Sequence, residues 1–180
     1  MAEEYLDIYS PQGERIGTAL RSECHGNPAL LHHTAHVVVV HPQSGAVLLQ
    51  RRSPHKRIQP GKWDTAVGGH LECGEDFLAG AQRELREELG ISEAVTLTPL
   101  FADKIRNEIE SEDVMVYGVK LAGPFKFQAS EIDEVRFWNA AELADPENRK
   151  HFTPNLISEL ETLKTIPSWY PLLSFHENRQ

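Results

Sequence analysis

Three glutamates, Glu84, Glu87 and Glu88, crowd into the stretch GHLECGEDFLAGAQRELREELGI, residues 69 to 91. On a helix turning about 100° per residue, Glu88 lies roughly 40° from Glu84 and Glu87 roughly 60° to the other side. The same wheel gathers Leu78, Ala81, Leu85 and Leu89 into one apolar stripe, expected to face the core. Glu84 and Glu88 therefore border that stripe instead of standing on the best solvated face. A pair of like charges at i, i+4 disfavours a helix by roughly 0.2–0.5 kcal/mol, and the repulsion grows as the local dielectric falls. Periodicity leaves two readings open. The glutamates are a solvated face paired at i, i+4, as Arg83 and Glu87 could be, or they surround a divalent cation. The chemistry in the second case is that of a hard ion such as Mg2+ or Mn2+, which takes carboxylate oxygens and keeps several waters.

The elements that must position these side chains are legible from pattern. Helix signals run from about Glu75 to Leu89, and Gly90 stands where a C-terminal capping glycine belongs. Upstream, EYLDIYS and RIGTAL flank a PQGE turn and predict a hairpin. HVVVV, rich in β-branched residues, predicts a buried strand that pairs with AVLLQRR across HPQSG. SPHKRIQPGKWD reads as a loop, and TAVGGHL as a short strand ending in glycines. VTLTPLFADKI and DVMVYGVKL predict two more strands, and EVRFWNAAEL a strand leading into a short helix. TPNLISELETLKTI predicts a helix with Thr153 as N-cap and Pro154 in its first position. Strands and helices mix without strict alternation, so the expected class is α/β (α+β), a mixed sheet covered by helices.

The chain has 180 residues, enough for one domain with a real core. Its formal net charge of −9 opposes non-specific attachment to a nucleic acid polymer or an anionic membrane, but not a small anionic ligand that meets local positive charge. Two cysteines, Cys24 and Cys73, cannot build a disulfide framework or a Cys-x-x-Cys zinc site, and a cytoplasmic setting is the simplest expectation. The acidic start MAEEYLDIYS lacks the apolar run of a signal peptide, and no stretch has the length of a membrane span.

The spacing within residues 69 to 91 is Gly69, five residues, Glu75, seven residues, then Arg83-Glu84-Leu85-Arg86-Glu87-Glu88-Leu89-Gly90-Ile91. It resembles the signature of the Nudix hydrolases, the Nudix box, at every fixed position. The resemblance implies a Nudix-type α/β/α sandwich with a mixed sheet and a loop–helix–loop motif. It implies a single Nudix domain over residues 1 to 180, with a hairpin and lead-in over 1 to 30, the box at 69 to 91, and a C-terminal helix and tail over 153 to 180. It also implies hydrolysis of a diphosphate linkage in a nucleoside diphosphate derivative or a related small molecule, with a non-catalytic diphosphate-binding module as an alternative that the intact set of glutamates opposes. Carried over by position, Glu84, Glu87 and Glu88 bind Mg2+ or Mn2+ with the Gly69 carbonyl, while Glu75 and Arg83 brace the loop and Gly90 supplies backbone freedom. Metal ions neutralise a diphosphate and lower the pKa of a bound water, and a pair about 3.5–4 Å apart holds the attacking and leaving oxygens. Glu87 or Glu88 is expected to take the water's proton, with Glu110, Glu112 and Asp113 as alternatives outside the box. Family members often form homodimers.

The hairpin YLDIYSPQGERIG, the strand-opening His33, LLQRR, PGKWDTAVGGH and EIDEVRFW resemble the branch that also holds type I isopentenyl-diphosphate isomerases. The isomerases carry a catalytic cysteine before their Gly-His pair and tend to have a degenerate box. Here Gly68 stands in that place and the box is intact, which favours hydrolysis over isomerisation. Cys73, at a variable position of the box, reads as a bystander. His25, His33 and His70 fall near metal-binding positions of the isomerases, whose acidic partners align near Ser111 and Asp113. Imidazole suits Zn or Mn, and hydrogen-bonded loop histidines are the plainer reading. Arg51, Arg52, Lys56 and Arg57 form a basic patch in an acidic chain. Arg51 and Arg52 are the expected substrate-binding residues, since Arg holds phosphate through bidentate contacts. Trp63, Phe101 and Tyr117 could stack a base, although each suits a core equally.

Overall fold

The structure, a computed structural model, describes residues 4 to 171. It is a mixed α+β fold with a mixed sheet. In chain order the elements are β1 (Tyr5–Tyr9), β2 (Arg15–Leu20), α1 (Arg21–Cys24), β3 (His32–Val40), β4 (Val47–Arg52), β5 (Trp63–Thr65), β6 (Val67–His70), α2 (Phe77–Leu89), β7 (Thr98–Arg106), β8 (Ser111–Lys120), β9 (Ile132–Trp138), α3 (Ala140–Ala144), α4 (Pro146–Arg149) and α5 (Pro154–Leu163). The chain divides into two compact units. One comprises residues up to Val38 with Ala66–Val119 and Phe125–Gln128, and the other comprises Val39–Thr65, Lys120–Pro124 and the residues from Ala129 on.

The first unit contains β1 and β2 as the expected antiparallel hairpin, in register Leu6↔Ala19 and Asp7↔Thr18. Leu6 and Ile8 turn inward from β1 onto Cys24, with Ala19 and Leu30 packed against them. This is the period-two alternation of a half-buried strand. β3 has β6 on one side, in register Ala35↔Gly69, and β8 on the other, with β7 beyond it. α2 begins where Asp76 accepts the Ala79 N–H at 2.8 Å and ends at Gly90. Gly90 has φ 68°, and an added Cβ would stand 2.8 Å from the Lys126 carbonyl, so only glycine suits this stop.

The buried face of α2 is Gly80, Ala81, Leu85, Glu88 and Leu89. Leu78, expected in the core stripe, is 43% exposed. It lies in the first turn, while Gly80 makes the close approach to Leu71. Adding Gly80 widens the buried arc so that Glu88 falls roughly at its middle, not its border.

The second unit contains β4, with β9 along one side in register Leu48↔Phe137 and β5 along the other in register Gln50↔Asp64. The last residues of β3 pair with its start, Val39↔Leu48. β5 and the short helix α4 fall in stretches read as loop or left unassigned, each too short for a periodic signal to develop. Thr153 caps α5 as expected, accepting the Leu156 N–H at 3.1 Å, and Pro154 occupies its first turn. Leu156, Leu160 and Leu163 of α5, with Ile132, Trp138, Leu143 and Phe152, are buried. The expected C-terminal tail lies outside the described residues from residue 172 on.

Candidate active site and metal centre

Arg83 organises the glutamates of α2. Its Nε and Nη2 donate to the two oxygens of Glu75 at 3.0 and 2.9 Å, and Nη2 also donates to the His70 carbonyl at 2.8 Å. Nη1 donates to Glu84 at 2.8 Å and to Glu87 at 3.3 Å. Glu72 stands 3.9 Å away. One guanidinium thus faces four carboxylates, and the local charge stays negative. Burial alone would lower the Arg83 value, but Glu75 and Glu84 more than reverse it and hold the side chain charged. Burial raises the Glu84 carboxyl, against the pull of Arg83 and with Glu87 adding to the rise. Glu75 goes the other way: burial would raise it, and bonds from Arg83 and the Glu72 amide hold it below the usual carboxylate range.

Glu88 is buried and accepts the Gly68 N–H at 3.3 Å. Glu87 is 53% exposed along its side chain. A Cβ at Gly69 would fall onto the Glu84 carboxyl group, so the backbone there is drawn against that acid. These are features that fit a cation: a half-buried carboxyl with a depressed tendency to ionise, a glycine that lets the backbone reach it, and an excess of negative charge around a single arginine.

A second group of donors was only partly legible. His25, His32, His70 and Glu112 each offer one ligand atom, all within 4.8 Å of one another. The third histidine is His32 and not His33, because neighbours on a strand point to opposite faces and a shift of one residue moves the side chain across. The His33 ring instead stacks on Tyr9 at 3.6 Å and on Phe77 at 4.7 Å. The acid is Glu112 on β8, not Ser111 or Asp113, by the same alternation. The signal that could have found them is period two, since His32 and Thr34 share a face and Thr34 Oγ1 donates to Glu112 at 3.3 Å.

The geometry suits a metal. His32 Nδ1 sits 2.9 Å from the Leu30 carbonyl, which fixes its N–H there and turns Nε2 inward. That Nε2 is buried without a hydrogen-bond partner, 3.4 Å from Glu112 Oε1. His25 Nε2 and His70 Nε2 face each other at 3.1 Å, and His70 Nε2 is 3.5 Å from Glu112 Oε1. Three imidazoles and a carboxylate suit Zn or Mn better than Mg. Burial would raise the Glu112 carboxyl, but His32 and His70 hold it far below the usual range. Burial lowers His70 despite Glu112, whereas His32 is raised because Glu112 and the Leu30 carbonyl overcome its burial.

His25 gives a pH prediction. Burial first, then His70, push it down to about 4. Between that value and the ordinary one the unfolded chain binds the proton and the folded chain does not. The His25 contribution to stability is therefore complete above about pH 6.5 and is lost as pH falls toward 4. Urea midpoints of metal-stripped protein are expected to fall over this window, and His25→Gln to flatten the slope. An unchanged slope in that variant would remove His25 as its source.

Arg51 and Arg52 are engaged within their own unit. Arg51 pairs with Asp133 at 2.6 Å and Glu134 at 3.1 Å. Arg52 pairs with Asp64 at 3.1 Å and donates to the Ile58 carbonyl at 3.1 Å. Lys56 pairs with Glu131. Trp63 and Tyr117 are buried. Asp113 pairs with Arg106, and Cys73 is exposed with its thiol donating to the Tyr5 carbonyl at 3.3 Å.

A mixed sheet thus carries a loop–helix–loop whose glutamates converge on one arginine. Residues 31–160 match the NUDIX domain family model. The chain is 34% identical over 170 residues to a Nudix hydrolase of Yersinia pestis whose activity is uncharacterized, covering 92% of this chain and 85% of that protein. It is 31% identical over 164 residues to an isopentenyl-diphosphate Delta-isomerase of Streptomyces avermitilis, covering 88% of this chain and 83% of that one. The crystal structure of DR0079 from Deinococcus radiodurans shares the fold, with a TM-score of 0.63, 23% identity and 90% coverage of both chains. The chain belongs to the Nudix family, and with it to the hydrolases of pyrophosphate bonds. No helix among the described residues is long and apolar enough to cross a membrane.

Proposed function

We propose that this chain is a divalent-metal-dependent hydrolase that cleaves the diphosphate linkage of a nucleoside diphosphate derivative or related small molecule. The supporting observation is the gathering of Glu75, Glu84 and Glu87 on Arg83, beside a buried Glu88 and the Gly69 backbone. Gly69 through its carbonyl, Glu84, Glu87 and Glu88 would hold Mg2+ or Mn2+. When bound, the cation supplies charge neutralisation of the phosphoryl oxygens and a water of lowered pKa. Glu88, or Glu87 from the more exposed side, takes the proton of the attacking water at a carboxylate oxygen. Arg83 and Glu75 hold the loop against α2 throughout. Arg51 and Arg52 attract the substrate phosphates once these displace their carboxylate partners. The two free thiols, Cys24 and Cys73, accord with a reducing, cytoplasmic setting.

The His25, His32, His70 and Glu112 cluster favours a second reading, an isomerase-like enzyme acting on a prenyl diphosphate with Zn or Mn held there. Gly68 opposes it, because a hydrogen atom cannot shuttle a proton as a thiol does. The two separate in one assay. A panel of nucleoside diphosphate derivatives and isopentenyl diphosphate is incubated with and without Mg2+ or Mn2+, with the monophosphate products of diphosphate cleavage and the double-bond position both read. Metal-dependent formation of monophosphate products is expected. A shifted double bond without cleavage would replace the hydrolase reading with the isomerase one.

A further inference from the structure

Asp7 is buried in the middle of β1, at 6% exposure, between two residues that feed the small core around Cys24. An aspartate so placed needs partners, and the hairpin and the box loop supply them. One oxygen accepts from Arg15 Nε at 2.7 Å, across the hairpin. The other accepts the Gly74 N–H at 2.8 Å. Gly74 belongs to the box loop, directly before Glu75. Glu75 in turn takes both Nε and Nη2 of Arg83, and Arg83 holds Glu84 and Glu87. A short chain of bonds therefore runs from β1 through one loop peptide to the glutamates of α2.

Two further contacts join the same elements. The Cys73 thiol donates to the Tyr5 carbonyl at 3.3 Å. The Tyr9 ring stacks on His33 at 3.6 Å, and His33 stacks on Phe77, the first residue of α2, at 4.7 Å. The hairpin thus grips the box loop on one side and the start of the helix on the other. All of it lies ahead of residues 31–160, the part that matches the family's domain model. The hairpin therefore lies outside the matched domain and still touches the box.

We propose that the N-terminal hairpin positions the box loop, and that Asp7 is the positioning residue through which it acts on metal binding at Glu84, Glu87 and Glu88. The proposal rests on the reading of those glutamates as the cation site. Burial would raise the Asp7 carboxyl, but the Gly74 amide and Arg15 hold it below the usual range, so both oxygens accept at neutral pH. Arg15 is 55% exposed and its ion pair matters less than the amide bond.

The test uses the full chain and Mg2+, which the imidazoles of the histidine cluster bind weakly. Asp7→Ala, Asp7→Asn and Arg15→Ala are compared by three readouts: exchange of the Gly74 amide, the rise in melting temperature with Mg2+, and the Mg2+ dependence of turnover. In Asp7→Ala the Gly74 amide is expected to exchange about tenfold faster and the half-saturating Mg2+ to rise about tenfold, with kcat at saturating Mg2+ little changed. Asp7→Asn keeps an oxygen for the Gly74 N–H and is expected to recover most of the loss. Arg15→Ala is expected to stay within about twofold of the parent. A uniform loss of stability in all three variants with unchanged Mg2+ dependence would reduce Asp7 to a fold-stabilising role and overturn the proposal. Unchanged Gly74 exchange in Asp7→Ala would overturn it equally. Should the parent chain hydrolyse no diphosphate, the hydrolase reading fails, while the amide exchange and the Mg2+ melting shift still decide the role of Asp7.

Discussion

Glu88→Gln is expected to lower kcat by roughly 10²–10⁴-fold, the range of a lost general base, with little change in melting temperature. The glutamine keeps the volume and an oxygen for the Gly68 N–H, so the packing of α2 survives. It loses the capacity to take a proton and the negative charge toward the cation. Glu88 is favoured over Glu87 for this role by its surroundings. At 8% exposure it is held by the Gly68 backbone in the middle of the buried face of α2, while Glu87 is largely solvated and tied to Arg83. A base that must stay oriented toward one water gains from being fixed. Glu87→Gln is accordingly expected to raise the half-saturating Mg2+ more than it lowers kcat. Turnover of Glu88→Gln within about tenfold of the parent at saturating Mg2+ would remove Glu88 as the base.

Much of this arrangement is legible in sequence because the box is local. The glutamates, Arg83, Glu75 and Gly90 lie on one helix and its flanking loops, where spacing translates directly into geometry. The capping of α2 by Asp76 and Gly90, and of α5 by Thr153, follows from residue types at fixed offsets. What pattern could not give is non-local. The histidine cluster draws on the segment after α1, on β3, on β6 and on β8, and a slip of one residue along β3 exchanges His32 for His33. Asp7 belongs to the same class, since nothing in YLDIY announces a bond to a residue 67 positions away. Leu78 shows the converse limit: the helical wheel gives its azimuth but not that it stays exposed in the first turn of α2.

Arg83→Met is expected to lower the melting temperature by roughly 3–12 °C, from about 1.5–3 kcal/mol for the lost charge-assisted hydrogen bonds of a half-buried network at about 2–4 °C per kcal/mol. The substitution keeps much of the aliphatic stem, so the loss is of charge and hydrogen bonds, not of packing. Glu84 is left with a carboxyl already disfavoured by burial and with Glu87 beside it, and without the guanidinium 2.8 Å away that offsets both. Glu75 and the His70 carbonyl lose their donor too, which frees the loop from α2. The Glu84 carboxyl rises further in the variant and takes a proton more readily, so the deficit shrinks as pH falls, which a pH series of melts can follow. Arg83→Lys separates charge from shape. A single ammonium restores attraction to Glu84 but cannot span Glu75, Glu84 and the His70 carbonyl together, as the planar fork does. It is expected to regain part of the stability and little of the Mg2+ affinity. If Arg83→Met melts within about 2 °C of the parent, the crowded carboxylates do not depend on this arginine in the absence of metal. Equal recovery of stability and Mg2+ affinity in Arg83→Lys would show that charge alone, and not the brace between loop and helix, is what the site requires.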